Sequence, residues 1–414
     1  MTRRVVVTGM AGLCPLGFDW KTVSQGLREN RSAVAVLPEL AGFAGMKTQL
    51  AGCIEGFEAP AHYPRKRTRS MGRVSLLATR ATECALEAAG LADSPELHDG
   101  TTGISYGSTA GSPPAMWVYA NAMLENKTTK GIRSTDYLQF MSHSVPANLA
   151  QFFEVRGRVI TTCSACTSGS QGVGYGYEAI LSGAQDIMIT GGAEEYHPID
   201  TAVFDIMFAT STRNTAPQTT PRPFDADRDG MVVSEGAGTL ILEELAHAQK
   251  RGAPIYAEVA GFGTCCDGRH LTNPDVAGMR RVMQLALDSA GLAASDIDYV
   301  NAHGTATEAG DIAESLATAQ CLGDAVPLSS LKGNFGHALG ACGSIEAWLT
   351  IEMLREGWFA PTLNLERVDD RCADLDYIQR EGREIDAVHV MSNNFAFGGI
   401  NTSLVFRRWE PGSA

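Results

Sequence analysis

The sequence has no uninterrupted apolar run that approaches the ~20 residues needed to cross a bilayer. Its first residues read MTRRVVVTGMAGLCPLG, where glycine and threonine interrupt the apolar stretch and no cleavage site of small residues follows. We therefore expect a first β-strand at this position rather than a signal peptide. No membrane span is expected.

Positive charge is also scarce in this chain. Lysine and arginine number 33 against 47 aspartates and glutamates, which gives a formal net charge of −14. Such a chain repels a phosphate backbone, so nucleic acid is not expected as a partner. An acidic protein partner would have to dock on a local basic patch.

The ten cysteines show neither a disulfide framework nor a complete metal-binding pattern. Cys163 and Cys166 form a CxxC pair that no second CxxC follows, and the adjacent Cys265 and Cys266 have no histidine at matching spacing. No metal site is expected. Scattered free thiols in a long chain are typical of a reducing cytoplasm, which is the expected location.

The chain does contain enough apolar residues and glycine for a large α/β enzyme. It has 414 residues, 44% hydrophobic content and 44 glycines, enough for two fused units of roughly 200 residues each. The order strand, helix, strand appears twice, with glycine-rich turns after strands. We predict two similar units, residues 1–250 and 251–414, in a layered α-β-α stack. Residues 239–243 and 255–262 are expected to pair as strands.

The stretch 159–180, VITTCSACTSGSQGVGYGYEAI, predicts a strand, a sharp turn at Cys166 and a helix of small residues. Amides at the start of a helix favour a thiolate over a thiol, and the thiolate is the nucleophile. Cys166 is thus a candidate nucleophile. The alternative is a buried, inert cysteine.

Two histidines also follow predicted apolar strands. His303 lies in NAHGTATEAGD, and His337 lies five residues after Lys332 in LKGNFGHALGACGSIE. A thiol hydrolase needs one base and an orienting group. Two imidazoles beside a cysteine could instead hold a thioester oxygen as it becomes an enolate. That arrangement suits decarboxylative carbon–carbon bond formation.

These motifs resemble the condensing enzymes of the thiolase superfamily, specifically the type II β-ketoacyl-acyl carrier protein synthases. The resemblance runs from end to end through VVVTGMAGLCPLG, SACTSG, GGAEE, RPFDADRDGMVVSEGAG, NAHGTATEAGD, LKGNFGHALGACGSIE and NNFAFGGINTS. It implies an α/β, duplicated thiolase-like fold with five layers, α-β-α-β-α. The first unit would carry the nucleophilic cysteine, and the second the two histidines and the lysine.

The resemblance also implies the reaction and the roles of the catalytic residues. Cys166 would accept an acyl chain as a thioester and condense it with a malonyl group that loses carbon dioxide. His303 and His337 would assist the decarboxylation and stabilise the enolate. Lys332 would tune the site, with Glu346 as its ion partner.

Further residues match positions that surround the substrate in the family. Phe397 matches a gatekeeper aromatic, and the backbone amides of Phe397 and Cys166 would form the oxyanion hole. The candidate residues for binding the phosphopantetheine arm are Thr305, Thr307, His270 and Thr272. Ala110 aligns with an acyl-pocket position where fatty-acid enzymes carry a bulkier aliphatic, which suggests a longer, wider or stiffer acyl group.

A short basic cluster matches the family's docking site for the acidic carrier protein. It consists of Arg65, Lys66, Arg67 and Arg69, with Arg213 as a second matching contact. Because the chain is acidic overall, positive charge concentrated here would favour such a partner. The alternative is a solvated helix start. The loop RPFDADRDG is interpreted as structural.

The resemblance implies an acyl- and malonyl-loaded acyl carrier protein as partner, a homodimer, and no cofactor of the enzyme's own. The closing segments look closest to the ketosynthases of bacterial aryl polyene clusters. A thiolase would place a second reactive cysteine in the C-terminal glycine-rich loop, but this loop reads FGGINTS. A non-catalytic chain-length partner subunit typically lacks the nucleophile, whereas Cys166 is present here.

Overall fold

The computed structural model describes residues 3–410, so the ends of the two predicted units, residues 1–2 and 411–414, lie outside the described residues. The strands are β1 (Val5–Leu13), β2 (Ala35–Val36), β3 (Leu50–Ala51), β4 (Thr102–Gly107), β5 (Val159–Thr162), β6 (Ile187–Glu194), β7 (Gly236–Glu244), β8 (Ala257–Cys266), β9 (Tyr299–Asn301), β10 (Leu328–Ser329), β11 (Trp358–Phe359), β12 (Arg383–Glu384), β13 (His389–Ala396) and β14 (Ile400–Arg408). The helices are α1 (Trp20–Arg28), α2 (Arg65–Thr68), α3 (Arg73–Ala88), α4 (Pro113–Ala120), α5 (Ser134–Phe140), α6 (Ser144–Phe153), α7 (Ser168–Leu181), α8 (Pro198–Ile206), α9 (Leu245–Arg251), α10 (Val276–Ala290), α11 (Glu308–Leu322), α12 (Lys332–Phe335) and α13 (Cys342–Glu356). None of these helices is long and apolar enough to cross a membrane.

The main sheet consists of two halves with the same strand arrangement. Its order is β10-β9-β13-β14-β8-β1-β7-β6-β4-β5. Read outward from the centre, β1-β7-β6-β4-β5 repeats as β8-β14-β13-β9-β10. In both halves the first two pairings are antiparallel and the last two are parallel. The halves meet where β1 pairs antiparallel with β8.

The predicted pairing of residues 239–243 with 255–262 is wrong. These residues belong to β7 and β8, and each of them pairs with β1, which lies between them. Val5, Val6 and Val7 at the start of β1 are fully or almost fully buried, so this strand can accept a neighbour on each edge within the core. Proximity in sequence favoured the wrong partner, because β1 is more than 200 residues away in the chain.

The helices form three layers around the two halves of the sheet, which confirms the five-layered α-β-α-β-α fold. Helices α7 and α13 contact each other and strands of both halves, so they form the middle layer. Helices α3 and α6 pack on the N-terminal half, and α10 packs on β8 and β14. A Cβ at Gly172 of α7 would lie 2.4 Å from the carbonyl oxygen of Gly191, and a Cβ at Gly169 would lie 2.9 Å from the amide nitrogen of Ser344 in α13. The small residues of α7 therefore permit the close packing that the sequence predicts.

Candidate active site

Cys166 lies on a tight turn between β5 and α7, as the sequence predicts. A single 3-10 turn, Ala165–Thr167, separates the strand from the helix. Ala165 has a φ of 49°, in the left-handed region, which is uncommon for residues other than glycine. The strained turn places the buried Cys166 at the wall of a cavity of about 460 Å³.

The thiol of Cys166 faces an imidazole. Its Sγ lies 3.0 Å from Nε2 of His337, on the segment between α12 and α13. Burial raises the pKa of Cys166 to about 12, although the Lys332 ammonium acts in the opposite direction. The backbone amide at the turn lowers this pKa, as the sequence predicts, but desolvation outweighs it. The resting cysteine is a thiol, and His337 is placed to take its proton.

His303 follows β9 and is held from behind by two hydrogen-bond donors. Nζ of Lys332 lies 3.3 Å from its Nδ1 and 2.6 Å from its carbonyl oxygen. Nδ2 of Asn394 lies 3.4 Å from the same Nδ1. Because an ammonium has no lone pair to accept a proton, Nδ1 is the acceptor and Nε2 carries the hydrogen. The ring centroids of His303 and His337 are 5.1 Å apart.

Lys332 and Glu346 form a completely buried ion pair. The Lys332 ammonium contacts Oε1 of Glu346, and Nδ2 of Asn394 donates to Oε2 at 2.7 Å. Burial alone would lower the pKa of Lys332, but the Glu346 carboxylate raises it above its usual value. The lysine is therefore charged, and its positive charge lies directly behind His303.

Both histidines are neutral at neutral pH. Burial, followed by the charge of Lys332, lowers the pKa values of His303 and His337 well below their usual range. A neutral imidazole can donate through Nε2 without carrying a net charge. Nδ1 of His337 has no hydrogen-bond partner within residues 3–410, so its tautomer depends on the contact of Nε2 with the Cys166 thiol. The pair can therefore combine a fixed donor, His303, with an adaptable base or donor, His337.

The structure adds two residues that sequence reasoning missed, Asn394 and Glu314. Glu314 lies on α11 and accepts the backbone N–H groups of His303 and Gly304, both at 2.7 Å. Burial raises the pKa of Glu314 to about 8. Asn394 lies within the quoted motif NNFAFGGINTS, and Glu314 lies one helical turn beyond NAHGTATEAGD. The motifs therefore indicated the segments that contain these two residues. Only the buried contacts reveal which polar residue of each segment supports the site.

The cavity also brings together most of the residues predicted around the substrate. Its wall includes the following predicted residues: Cys166, His270, Thr272, His303, Thr305, Thr307, His337 and Phe397. The hydroxyls of Thr305 and Thr307 are 2.9 Å apart. The half-buried Phe397 follows β13, and its ring centroid lies 5.3 Å from that of Phe204 in α8.

Ala110 is not brought to this cavity. It lies in the loop after β4 and is exposed in the single chain. The loop itself is held in place, because the neighbouring Thr109 donates its amide to Oε2 of the buried Glu194 at 3.0 Å and its carbonyl faces Sγ of Cys163 at 3.0 Å. The acyl-pocket role of Ala110 stays a prediction.

Arg65, Lys66 and Arg67 of the predicted docking cluster lie on the short helix α2, and Arg69 follows it. Of these basic residues, Arg65, Lys66 and Arg69 are exposed. Arg67 instead contacts the carbonyl oxygen of Phe152 and the Glu154 carboxylate. Arg213 is half-buried and donates to the carbonyl oxygen of Asp227 at 2.6 Å.

Ion pairs and hydrogen bonds hold the loop RPFDADRDG in place. Arg222 pairs with Asp225 at 3.1 Å, and Arg228 pairs with Asp369 at 2.7 Å. The carboxylate of Asp225 also accepts the backbone amides of Glu366 and Arg367. These contacts tie the loop to the segment that follows α13.

The nearby donor atoms suit hydrogen bonding to a substrate better than metal ligation. Ligand atoms of Cys166, His303 and His337 lie within 4.8 Å of one another. A metal-bound histidine normally donates its other ring N–H to an acceptor. Behind His303 stand two donors instead, Lys332 and Asn394. These two donors favour a His303 imidazole that donates through Nε2.

The chain is similar over its whole length to known proteins. The family model described as "Beta-ketoacyl synthase, N-terminal domain" matches residues 2–248, and its C-terminal counterpart matches residues 256–366. The 3-oxoacyl-[acyl-carrier-protein] synthase 2 of Vibrio cholerae is 37% identical over 98% of this chain and 99% of its own length.

Two solved structures show the same fold. A β-ketoacyl synthase from Burkholderia phymatum is 53% identical, covers 99% of this chain and 100% of its own, and superposes with a TM-score of 0.97. A type II PKS acyl-carrier protein in complex with its ketosynthase bound to the hexaketide matches with 29% identity and a TM-score of 0.88, over 99% of this chain and 100% of its own.

Proposed function

Because the chain belongs to the β-ketoacyl synthase family and is thus an acyltransferase of the 3-oxoacyl-[acyl-carrier-protein] synthase class, we propose that Cys166, His303 and His337 carry out its two half-reactions. The observation that carries this assignment is the buried Cys166 thiol 3.0 Å from Nε2 of His337. Both groups lie on the wall of one cavity with His303. The overall reaction is a decarboxylative Claisen condensation that lengthens an acyl chain.

The first half-reaction loads the enzyme. Nε2 of His337 takes the proton of the Cys166 thiol as Sγ attacks the acyl thioester. The new thioester forms on Cys166, the carrier's thiolate leaves, and His337 returns the proton to that sulfur. Backbone amides of Cys166 and Phe397 stabilise the developing oxyanion.

The second half-reaction forms the new carbon–carbon bond. The malonyl group loses carbon dioxide, and the electron pair of the broken carbon–carbon bond forms an enolate. The enolate oxygen accepts hydrogen bonds from Nε2–H of His303 and from His337, in the tautomer that carries its hydrogen on Nε2. The enolate carbon attacks the acyl carbonyl on Cys166. The cysteine sulfur leaves as a thiolate and takes up a proton from solvent. The products are carbon dioxide, the β-ketoacyl thioester and the free thiol.

The substrate arm enters beside the polar residues of the cavity. Thr305 and Thr307 present hydroxyls at its wall, and His270 and Thr272 lie in the loop between β8 and α10. These residues are suited to hold the amide groups of a phosphopantetheine arm. The acyl and malonyl groups come on an acyl carrier protein, and the enzyme needs no cofactor of its own. The free cysteines suit the reducing cytoplasm.

A homodimer is supported by an exposed apolar surface near the edge of the sheet. Strand β5 is an edge strand, and its Val159 is exposed. The segment from α4 to α5 adds further exposed apolar side chains: Met116, Trp117, Val118, Met123, Leu124, Tyr137 and Leu138. A monomer rarely leaves such an area uncovered. A second copy on this surface would also cover Ala110 and complete the predicted acyl pocket.

The deciding experiment measures the intact mass of the protein after mixing with acyl-carrier proteins. Short, long saturated and aryl-polyenoyl chains would be compared. We expect one acyl group to appear on Cys166, and the preferred chain to separate fatty-acid elongation from an aryl polyene pathway. If no carrier acylates the protein, the role of Cys166 fails, and a non-catalytic partner subunit becomes the better assignment.

A further inference from the structure

A second buried thiol contacts the backbone of the nucleophile. Cys342 is the first residue of α13 and is completely buried. Its Sγ lies 3.2 Å from the backbone carbonyl oxygen of Cys166. Since a carbonyl oxygen can only accept, the S–H group of Cys342 donates to it. This contact joins the turn that carries the nucleophile to the middle layer of helices.

The Cys342 side chain is a protonated thiol, and its neighbours fix the direction of its hydrogen bond. Burial, followed by the Glu346 carboxylate, raises the pKa of Cys342 well above its usual value. Nδ2 of Asn394 lies 3.7 Å from Sγ of Cys342, and an amide nitrogen can only donate. The hydrogen of the thiol is therefore left for the carbonyl oxygen of Cys166.

The same asparagine also supports the catalytic histidine. Nδ2 of Asn394 donates to Glu346 at 2.7 Å and lies 3.4 Å from Nδ1 of His303. Asn394, the thiol of Cys342 and the carbonyl oxygen of Cys166 thus form one chain of polar contacts. Cys166 belongs to the N-terminal half of the molecule, whereas Cys342 and Asn394 belong to the C-terminal half. The chain of contacts therefore crosses from one half to the other.

The turn that Cys342 contacts is strained and depends on its surroundings. Ala165 has a φ of 49°, a conformation that persists only where neighbouring contacts fix it. Oγ1 of Thr167 donates to the carbonyl oxygen of Ser164 at 2.8 Å. Oγ of Ser168 donates to the carbonyl oxygen of Ala165 at 2.7 Å. These bonds stay within the turn, whereas Cys342 holds it from a distant part of the chain.

The start of α13 is itself fixed by close packing. A Cβ at Gly343 would lie 2.6 Å from Oδ1 of Asn394 and 2.8 Å from Cβ of Ser170 in α7. Only glycine permits such a close approach of the helix to both neighbours. Since Cys342 directly precedes this glycine, its backbone is held in place, and its S–H group acts on the turn from a fixed position.

We propose that Cys342 is a positioning residue, which holds the Cys166 turn so that the backbone amide of Cys166 points at the thioester oxygen during acyl transfer and condensation. This inference rests on the proposed function, in which that amide is one donor of the oxyanion hole. Cys342 does not line the cavity, so it acts through Cys166 and not on the substrate. Decarboxylation of the malonyl group relies on His303 and His337 and does not need this amide.

The test compares Cys342→Ala, which removes the donor, with Cys342→Ser, which keeps one. Cys14→Ala is the matched control, because Cys14 is equally buried in the same hydrophobic core and does not line the cavity. Intact-protein mass gives the single-turnover rate of Cys166 acylation at increasing concentrations of acyl-carrier protein. A separate assay measures carbon dioxide release from malonyl-carrier protein without an acyl substrate. Denaturant unfolding shows that each variant is folded.

We expect Cys342→Ala to lower the maximal acylation rate by about fivefold, the effect of losing one buried hydrogen bond. The carrier concentration that gives half of this rate should not change, because the cavity wall is intact. Carbon dioxide release should stay at the wild-type rate, which separates Cys342 from the residues that support His303. Cys342→Ser should keep most of the wild-type acylation rate. Cys14→Ala should acylate as the wild type does.

The proposal is overturned if Cys342→Ala acylates at the wild-type rate, if its carbon dioxide release falls by the same factor as acylation, or if Cys342→Ser is as slow as Cys342→Ala. It is also overturned if Cys14→Ala slows acylation to the same extent, because a general loss of core packing would then explain the effect. A wild-type protein that no acyl-carrier protein acylates would instead refute the proposed function.

Discussion

The Lys332 ammonium lies 3.3 Å from Nδ1 of His303 and thereby determines which nitrogen of that imidazole carries the proton. Because the lysine can only donate, the hydrogen of His303 is on Nε2, the atom that remains available to the substrate. A buried charge thus acts on the reaction without touching the reacting atoms. Lys332 is in this sense a positioning residue.

Replacing Lys332 by methionine should destabilise the fold and impair decarboxylation. The variant leaves the Glu346 carboxylate buried without its ion partner, which costs about 3–5 kcal/mol. Denaturant unfolding measures this loss. The double variant Lys332→Met/Glu346→Leu removes both charges and should recover at least half of the lost stability, but not the decarboxylation. A double variant as unstable as the single one would contradict the ion-pair explanation.

Replacing His303 by alanine should separate the two half-reactions. Cys166 and His337 keep their contact, so intact-protein mass should still show the acyl group on Cys166. Release of carbon dioxide from malonyl-carrier protein should fall by about 100-fold or more, because one preorganised donor to the enolate is lost. Carbon dioxide release at the wild-type rate would show that the role given to His303 is wrong.

Cys166→Ala should abolish acylation and leave the fold intact. The substitution removes one sulfur atom at a turn and little core volume, so the free energy of unfolding should change by about 1 kcal/mol or less. Mass spectrometry after mixing with acyl-carrier protein measures acylation. Denaturant unfolding followed by circular dichroism measures the free energy of unfolding. An acyl adduct that persists on this variant would place the nucleophile elsewhere.

Asn394→Leu should weaken condensation more than acylation. The change removes the 2.7 Å hydrogen bond to Glu346 and the amide behind His303. Loss of a buried hydrogen bond to a carboxylate costs about 1–3 kcal/mol, so condensation should fall roughly tenfold or more. Single-turnover measurements distinguish the two steps. An equal loss in both would indicate a general folding defect instead.

The contribution of Glu194 to the stability of the protein should fall as pH rises. Burial raises the pKa of this carboxyl from 4.5 to about 8. The folded state therefore holds the proton more tightly than the unfolded state. This contribution is complete below about pH 4.5 and is lost as pH rises through about 8.

Denaturant unfolding between about pH 7 and about pH 9 tests this expectation, because the buried histidines oppose the trend only below about pH 6.5. Glu194→Gln should flatten the decline, since an amide does not titrate. The slope should not vanish, because burial also raises the pKa of Glu314 to about 8. The exposed Glu55, replaced by glutamine, is the control and should keep the wild-type slope. A Glu194→Gln variant with the wild-type slope would refute the assignment.

The local sequence predicts where the reactive groups lie but not how they are arranged. Cys166 and His303 each closely follow a strand, and His337 follows the short helix α12 and Gly336. These positions are readable because strand, turn and helix leave local signals. The raised pKa of Cys166 was not predicted, since the sequence shows the helix start and not the depth of burial. Asn394 and Glu314 were missed for the same reason, because their importance depends on which atoms surround them.

Long-range strand pairing is the other part that the sequence could not supply. Residues 239–243 and 255–262 look like partners because they are close in the chain, yet β1 lies between them. Strand order depends on contacts between residues that are far apart in the chain. The residues next to a strand in the sequence therefore carry little information about its partners in the sheet. The repeat of strands and helices in the two halves was, however, visible in the order of predicted elements.

The pairing of β1 with β8 joins the two halves through only three residue pairs, Val5 with Val259, Val6 with Glu258 and Val7 with Ala257. Cys166 belongs to one half, and His303, Lys332 and His337 belong to the other. Neither half therefore contains a complete set of reacting groups. Turnover consequently requires correct association of the two halves, to which the contacts of α7 and α13 in the middle layer contribute together with this strand pairing.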